Sequence, residues 1–363
     1  MFKAAKTVDF LFLTYYTDGS KQRKRLSSLI RLYFPLYLSR RSVSFSALWT
    51  ERPINFLCRR RAAEWMIVME KFDSLIIGEV AQDTNVDFDG TVVQAVGGAV
   101  YYSGCAAANM GHKIAVLPKA DLSQLDVTAA FHEKAPSISV FPLNSPHSFV
   151  TKNVYHTADR ERRTSTVDSL IAPYTTDEVP VDQIDAAIWH LAGLAGGDIP
   201  NEMIPFAAKH AMVAIDVQTM LRWVENGGMV YHDWKEKKEL LPYIRFLKTD
   251  AAEAEILTGL TDRAEAAKVL YGWGAKEILI THNTEVLVYD GHEIYTCLIK
   301  ARNLSGRTGR GDTTFAGYIN ERLTKDIPTA LQTATALVSL KMETPGPFTG
   351  TRQDVEDYIK LMY

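Results

Sequence analysis

Cysteine is scarce in this chain, which has three thiols among 363 residues. Cys58, Cys105 and Cys297 lie far apart and form no C-x-x-C pair, which argues against a disulfide framework and against a cysteine-based zinc site. So few thiols are typical of proteins from a reducing compartment. We therefore expect a cytoplasmic location, with organelle targeting by the basic first segment as the open alternative.

Long apolar runs and an excess of charge of one sign are also missing. The stretch nearest to a membrane span, SSLIRLYFPLYLSRR at residues 27–41, is shorter than the roughly 18 residues required and is interrupted by Arg31 and Pro35. The net charge of −3 gives no indication of a nucleic-acid partner. We expect neither a membrane nor a nucleic acid as a partner.

The charge is divided between a basic head and an acidic body. Residues 1–68 contain 13 Lys and Arg against 4 Asp and Glu, whereas residues 69–363 contain 27 against 39. The head has no clean helical or alternating period, so we expect a disordered basic extension. It is a targeting segment, an arm for an anionic partner, or a stretch outside the working protein, which would then start at Met66 or Met69.

The body alternates short apolar runs with helical stretches. Runs typical of buried strands are SLIIGEV (74–80), KIAVLPKA (113–120), MVAIDVQ (212–218), YIRFLKTD (243–250) and EILITHN (277–283). This alternation predicts one principal α/β domain over residues 69–363, with a parallel sheet covered by helices on both faces. Ligands bind outside the carboxyl ends of the strands in such sheets.

The stretch SGRTGRGDTTFAGYI, residues 305–319, is a glycine-rich turn that leads into a helix with Phe315, Ile319 and Leu323 on one face. The unpaired N–H groups and the dipole at a helix start form an anion site, which glycines let a ligand approach. Asp312 would repel a phosphate there unless it accepts the proton of an attacking hydroxyl.

Two other interpretations of this turn stay open. Asp312 is a favoured N-cap residue, in which case the glycines only form a turn. Arg310-Gly311-Asp312 is also the tripeptide of cell-adhesion signals, but that function needs an exposed loop of a secreted protein. The chain has neither a clear signal peptide nor a disulfide pattern, which argues against adhesion.

Over roughly residues 70–350 the chain resembles the PfkB, or ribokinase-like, family of carbohydrate and nucleoside kinases. TGRGD (308–312) resembles the G-A-G-D signature of that family. The resemblance implies that Asp312 is the catalytic base and that the anion hole consists of Gly309, Arg310 and Gly311. It also implies a ribokinase-like three-layer α/β/α fold with a mostly parallel sheet and a small β-sheet lid, formed by segments near 82–97 and 148–165.

Two further segments correspond to the donor side of the family's site. KTDAAEAEILTG (248–259) resembles the K-x-N-x-x-E segment, which implies that Glu253 and Asp250 organise Mg²⁺ and phosphates without ligating the metal directly. THNTEVLVYDG (281–291) stands at the nucleotide turn. The resemblance implies nucleotide contacts at Lys248, Thr281 and Asn283.

The acceptor side is represented by two segments near the start of the body. GEVAQD (78–83) resembles the first-strand segment whose aspartate binds substrate hydroxyls, which implies that role for Asp83. GGAVYYSGCAAANMGHKIAVLPKAD (97–121) resembles the family's di-glycine signature. It implies that Gly97, Gly98 and the nearby Tyr101 bind the substrate.

The chain departs from the family pattern at several positions. The usual D-T-x is replaced by Gly306, Arg307 and Thr308, and Arg310 stands where alanine is usual. Arg310 either contacts a phosphate bidentately or points to solvent. Asp250 stands where asparagine is usual, the first glycines of the nucleotide turn are missing, and the G-G-N-x-x-N pattern is absent, which weakens ribose as the substrate.

The sequence therefore predicts an ATP-dependent kinase that phosphorylates a hydroxyl of a sugar, polyol or nucleoside. Its expected cofactors are ATP and Mg²⁺, with a monovalent cation as an additional candidate, and a homodimer is one expectation because lid edges often pair in the family. A catalytically inactive nucleotide- or sugar-binding regulator on the same fold is the alternative. A dinucleotide-dependent oxidoreductase lacks its G-x-G-x-x-G signature after a strand.

Overall fold

The computed structural model describes residues 7–18, 21–33, 69–157 and 163–363. The chain divides into two compact units, Met1–Met66 and Ile67–Tyr363.

In the first unit two strands, β1 (Thr7–Asp18) and β2 (Lys21–Tyr33), pair in antiparallel orientation. This differs from the expected disordered extension, because the β-branched and aromatic residues of TVDFLFLTYYTD favour a strand. The start predicted at Met66 and the basic cluster at residues 59–61 lie outside the described residues. The targeting, anionic-arm and non-native interpretations of the head stay predictions.

The second unit alternates strands and helices. Its strands are β3 (Glu70–Glu79), β4 (Ala81–Val86), β5 (Val92–Gly97), β6 (Ile114–Ala120), β7 (Ser139–Val140), β8 (Leu143–Asn144), β9 (Phe149–Tyr155), β10 (Arg163–Ser169), β11 (Ile184–Leu191), β12 (Met212–Asp216), β13 (Arg222–Glu225), β14 (Gly228–Tyr231), β15 (Ile244–Asp250), β16 (Glu277–Thr281), β17 (Glu285–Tyr289) and β18 (Ile294–Leu298).

Its helices are α1 (Ala99–Asn109), α2 (Val127–Lys134), α3 (Met203–Ala207), α4 (Gln218–Leu221), α5 (Lys237–Leu240), α6 (Ala251–Thr258), α7 (Arg263–Gly272), α8 (Arg310–Glu321), α9 (Ile327–Lys341) and α10 (Arg352–Met362). Short 3₁₀ turns occur at Thr176–Glu178 and Leu241–Tyr243. None of the helices in the described part of the chain is long and apolar enough to cross a membrane.

A mostly parallel sheet forms the centre of this unit. Within the described residues its strand order is β18-β17-β16-β15-β12-β11-β3-β6-β7, with β8 beside β6, and β17 and β18 are the antiparallel strands. On β11, Trp189 and Leu191 pack against the layer with α3, α6 and α7, whereas Ile188 packs against α8 and α9. The predicted three-layer α/β/α fold is confirmed.

A second, smaller sheet has the order β13-β14-β10-β9-β4-β5, and its strand β4 follows β3 after Val80. It contains the segments 82–97 and 148–165 that were expected to form a lid, of which residues 158–162 lie outside the described part. The hairpin of β13 and β14 was not predicted. Asn226 and Gly227 form its turn with positive φ angles of 52° and 76°, the conformation that Asn-Gly pairs favour.

Glu277, a buried residue on β16, fastens helix α8 to the central sheet. Its Oε2 accepts hydrogen bonds from the Tyr318 hydroxyl at 2.6 Å and from Arg322 Nε at 3.0 Å. Its Oε1 accepts from Arg245 on the neighbouring strand at 2.5 Å. The carboxylate is 2% exposed, so these donors replace the water that it would otherwise bind.

We expect Glu277→Ala to lower the free energy of unfolding by about 2 kcal/mol or more, because it leaves the buried Tyr318 hydroxyl without its acceptor and removes the carboxylate that Arg245 and Arg322 share. Glu285→Ala is the matched control: Glu285 also pairs with an arginine, Arg263 at 2.6 Å, but the pair is partly exposed. Its loss should cost less than about 1 kcal/mol. Equal losses in urea denaturation of the two variants would contradict the anchoring role of Glu277.

Candidate active site

Helix α8 starts at the glycine-rich turn. Gly309 is its N-cap residue, in the left-handed conformation with a φ of 75°, and Asp312 is the third residue of the helix. The interpretation of Asp312 as the N-cap is therefore wrong. A Cβ on residue 309 would overlap the ring of Tyr102, so the backbone conformation and the close approach both require glycine.

A cavity of about 430 Å³ is enclosed by this turn, the carboxyl ends of central strands and the smaller sheet. Most of the predicted site residues line it: Asp83, Gly98, Lys248, Asp250, Thr281, Asn283, Gly309, Arg310, Gly311 and Asp312. The other three, Gly97, Tyr101 and Glu253, are buried beside or behind its wall. Residues from distant parts of the sequence thus meet where the fold predicts a ligand.

Asp312 is partly buried, with positive charges around it. Burial raises the pKa of its carboxyl, and the charges of Lys248, Arg222 and Lys341 oppose that shift. Together these effects raise the pKa of Asp312. Asp312 is therefore a stronger proton acceptor than an exposed aspartate, while the cations keep its ionised form stable.

Lys248 connects Asp312 to a buried group of charges. Its ammonium lies 2.8 Å from the Asp216 carboxylate and 3.9 Å from Glu253. Burial opposes the charged form of Lys248, but attraction by these carboxylates outweighs burial and raises its pKa. The ammonium also faces the turn, because a Cβ on Gly311 would come within 3.2 Å of Nζ. A permanently charged lysine therefore stands beside the predicted anion hole.

Glu253 supports the site from behind. Its Oε1 lies 3.4 Å from Arg222, and its Oε2 accepts a hydrogen bond from the Asp250 amide at 2.9 Å. The Asp250 side chain in turn accepts from the Glu253 amide at 2.8 Å, which closes a capping box at the start of α6. This box fixes Asp250 at the cavity wall.

These carboxylates fit an indirect role toward magnesium. Within the described residues no group of three or more His, Cys, Asp or Glu side chains is placed to hold a metal ion. Both oxygens of Glu253 are engaged by other residues. Mg²⁺ keeps several waters and binds through substrate phosphates in many kinases. Asp250 lines the cavity, and its role toward the hydration shell of the metal stays a prediction.

On the acceptor side, Asp83 of β4 is fixed by its neighbour Thr151 on β9, whose hydroxyl donates to it at 2.5 Å. A Cβ on Gly97 would overlap the Asp83 carboxylate, so Gly97 makes room for it. The prediction for Tyr101 needs correction: its ring packs on Phe131, and its hydroxyl donates to the Ala130 carbonyl.

Tyr102, the next residue, lines the cavity instead. Sequence reasoning chose the wrong tyrosine of the pair, and it missed Thr151 and Lys341. Thr151 lies in the segment near 148–165 that was predicted to contribute to the lid, so its place at the cavity could have been inferred from that prediction. Nothing in the local sequence distinguishes Lys341 from a surface lysine at a helix end.

On the donor side, Arg310 is directed along the cavity wall. Its Nη2 donates to the Asn283 side-chain oxygen at 2.6 Å, and both residues line the cavity together with Thr281. Of the two orientations considered for Arg310, the structure has the one that faces the site.

We expect Gly309→Ala to abolish anion binding and to destabilise the protein more than Gly259→Ala. Gly259 has nearly the same φ, 76°, but a Cβ there meets nothing within 4 Å. The control should cost about 1 kcal/mol from backbone strain, whereas Gly309→Ala should cost roughly 1–3 kcal/mol more through overlap with Tyr102. Thermal unfolding and titration with pyrophosphate measure both effects; identical behaviour of the two variants would refute the packing argument.

Comparison with known proteins agrees with this geometry. The family described as pfkB family carbohydrate kinase matches residues 148–353. A cytidine kinase of Thermococcus kodakarensis is 24% identical over 266 residues, which cover 68% of this chain and 87% of the relative.

Two solved structures are more similar. The sulfate complex of a pyrophosphate-dependent kinase in the ribokinase family is 33% identical, with a TM-score of 0.71 and coverage of 78% of this chain and 99% of the other. A complex of such a kinase with a pyrophosphate analog and myo-inositol is 32% identical, with a TM-score of 0.70 and the same coverage. The chain belongs to the pfkB carbohydrate kinase family and is a phosphotransferase that acts on hydroxyl groups.

Proposed function

We propose that this kinase phosphorylates one hydroxyl of a cyclic polyol or a sugar, with Asp312 as the general base. The supporting observation is that Asp83 and Asp312 line one cavity together with Tyr102. Burial raises the pKa of the Tyr102 hydroxyl, and the charges of the two carboxylates raise it further. One carboxylate binds acceptor hydroxyls while the other takes a proton.

The proposed mechanism assigns a separate task to each element. Asp83, fixed by Thr151, orients the acceptor so that one hydroxyl faces Asp312. Asp312 accepts the proton as the hydroxyl oxygen attacks phosphorus. The N–H groups at the start of α8 and the ammonium of Lys248 stabilise the charge of the transferring phosphoryl group. The smaller sheet excludes water, which limits hydrolysis of the donor.

Mg²⁺, when bound with the donor, neutralises phosphate charge. Asp250 would hold it through water, and Glu253 would act by keeping Asp250 in place. ATP is the donor that the family resemblance implies.

Pyrophosphate is the second candidate donor. Arg310 supports it, because a guanidinium held by Asn283 on the donor side matches phosphate oxygens better than it matches adenine. The kinases described as pyrophosphate-dependent are also more similar to this chain than the cytidine kinase is.

A polyol is favoured as the acceptor. Polar side chains of the smaller sheet, namely Asp83, Thr151, Asn153 and Ser165, contribute to the cavity wall. Such a wall suits a molecule with hydroxyl groups on every side. The relative that was solved with myo-inositol points to the same class.

We expect Asp312→Asn to lower kcat about 1,000-fold, because an amide cannot accept the proton. Asp354→Asn is the matched control: Asp354 is also the third residue of its helix, α10, but it is exposed. It should retain turnover. In the wild type, kcat should fall at acidic pH as Asp312 is protonated, with a midpoint above the usual range of aspartate because burial raises its pKa. If the Asp312→Asn variant keeps its turnover, Asp312 is not the general base.

We expect a donor and acceptor panel to give turnover with myo-inositol in preference to ribose or cytidine, with either pyrophosphate or Mg·ATP.

Arg310→Ala should lower kcat/KM for pyrophosphate about tenfold or more and change it little for ATP, because a charged hydrogen bond to the smaller donor is lost. Arg263→Ala, outside the cavity, is the control. Equal loss with both donors would exclude donor selection by Arg310, and binding without turnover for every pair would favour the inactive-regulator alternative.

A further inference from the structure

Lys341, the last residue of α9, is a buried cation that the mechanism above does not use. Its residue is 1% exposed, and its ammonium donates to the Gly306 carbonyl at 2.6 Å and to the Thr308 carbonyl. A buried ammonium is costly unless its N–H groups find acceptors. Here the acceptors belong to the turn that leads into the anion hole.

The same ammonium lies 5.2 Å from the centre of the Tyr102 ring. That ring occupies the space where a Cβ on Gly309 would be. Lys341, Tyr102 and the turn therefore form one packed assembly. Asp312, at the other end of the turn, attracts the ammonium.

We propose that Lys341 is the positioning residue of the anion-binding turn, and that its ammonium occupies the place of a monovalent cation, so that this enzyme needs none. The carbonyl and N–H of a trans peptide group point in opposite directions. When Lys341 draws the Thr308 carbonyl toward itself, the N–H of Gly309 is directed away from it. The ammonium also adds positive charge beside the bound phosphate, within the protein and at no cost in translational entropy.

This inference deepens the proposed function and rests on it for the kinetic readouts. The carbonyl oxygens of Gly306 and Thr308 are the ligand type that a monovalent cation would use, and here they already face a lysine. Burial lowers the pKa of Lys341 to about 8, and the negative charge of Asp312 partly offsets this. Asp312 from α8 and Tyr102 from α1 are the titratable groups that face the ammonium.

The test compares Lys341→Ala and Lys341→Met with Lys300→Ala. Lys300 is a matched control, because its ammonium also donates to a backbone carbonyl, that of Met362, and lies over a tyrosine ring, that of Tyr363. Pyrophosphate affinity is measured by calorimetry, and kcat and both KM values are measured with and without K⁺ or NH₄⁺. Thermal unfolding identifies any variant that fails to fold, and Lys341→Met keeps the packed volume.

We expect both Lys341 variants to bind pyrophosphate about tenfold more weakly or worse and to lose about 100-fold in kcat, with the acceptor KM unchanged. NH₄⁺ or K⁺ should restore part of the activity of Lys341→Ala and change neither the wild type nor Lys300→Ala. The alkaline limb of the wild-type pH profile, near pH 8, should disappear in the variants. A wild type that requires K⁺, or folded variants with normal pyrophosphate affinity, would overturn the inference.

The two proposals fail in different ways. If no donor and acceptor pair gives turnover, the proposed function falls. Calorimetry still decides the role of Lys341, because pyrophosphate binding to the wild type and to the variants needs no catalysis. Weaker binding in both Lys341 variants than in Lys300→Ala then supports the positioning role, and equal binding refutes it.

Discussion

A partly buried carboxylate beside the proposed phosphate site is the constraint on which the rest of this structure depends. As the proposed base, Asp312 must stay ionised to take a proton, yet burial favours its neutral form and a phosphate donor would repel it. Lys248, Arg222 and Lys341 meet both demands, since the positive charge of each attracts the carboxylate and favours its ionised form. The ion pairs of Lys248 with Asp216 and of Arg222 with Glu253 then keep these cations from being isolated charges in the core.

The central sheet brings these charges together. Asp216, Lys248 and Asp250 stand at the carboxyl ends of β12 and β15, and Thr281 ends β16. Parallel strands place all their carboxyl ends on one edge, so residues more than sixty positions apart in sequence become neighbours. Helix α8 must then present its amino end to the same edge. Glu277 of β16 sets that orientation through its contacts with Tyr318 in the helix and with Arg322 just after it.

The fold could be predicted from the sequence because fully buried parallel strands are continuous apolar runs, as in SLIIGEV and EILITHN. The candidate site residues came from the family resemblance; most of them line one cavity, and their roles stay predictions. The hairpin of β13 and β14 was missed although Asn226-Gly227 is a recognised turn signal, since its strands are half-exposed and short. Tyr101 was chosen over Tyr102 because neighbouring helical residues point about 100° apart, and only tertiary packing decides which one faces the cavity. Lys341 could not be found, because its contacts join helix α9 to a turn over thirty residues earlier in the sequence.

The two sheets carry different parts of the proposed site, and this affects the order of the steps before phosphoryl transfer. In the proposed mechanism the acceptor is held by Asp83 and Thr151 on strands of the smaller sheet, whereas the base, Asp312, belongs to a helix packed on the central one. Any swing of the smaller sheet therefore carries the bound acceptor with it. In that mechanism, closure of the smaller sheet would expel water and bring the acceptor to the base at the same time. Protection of the donor and assembly of the reacting atoms are then a single mechanical event rather than two separate steps.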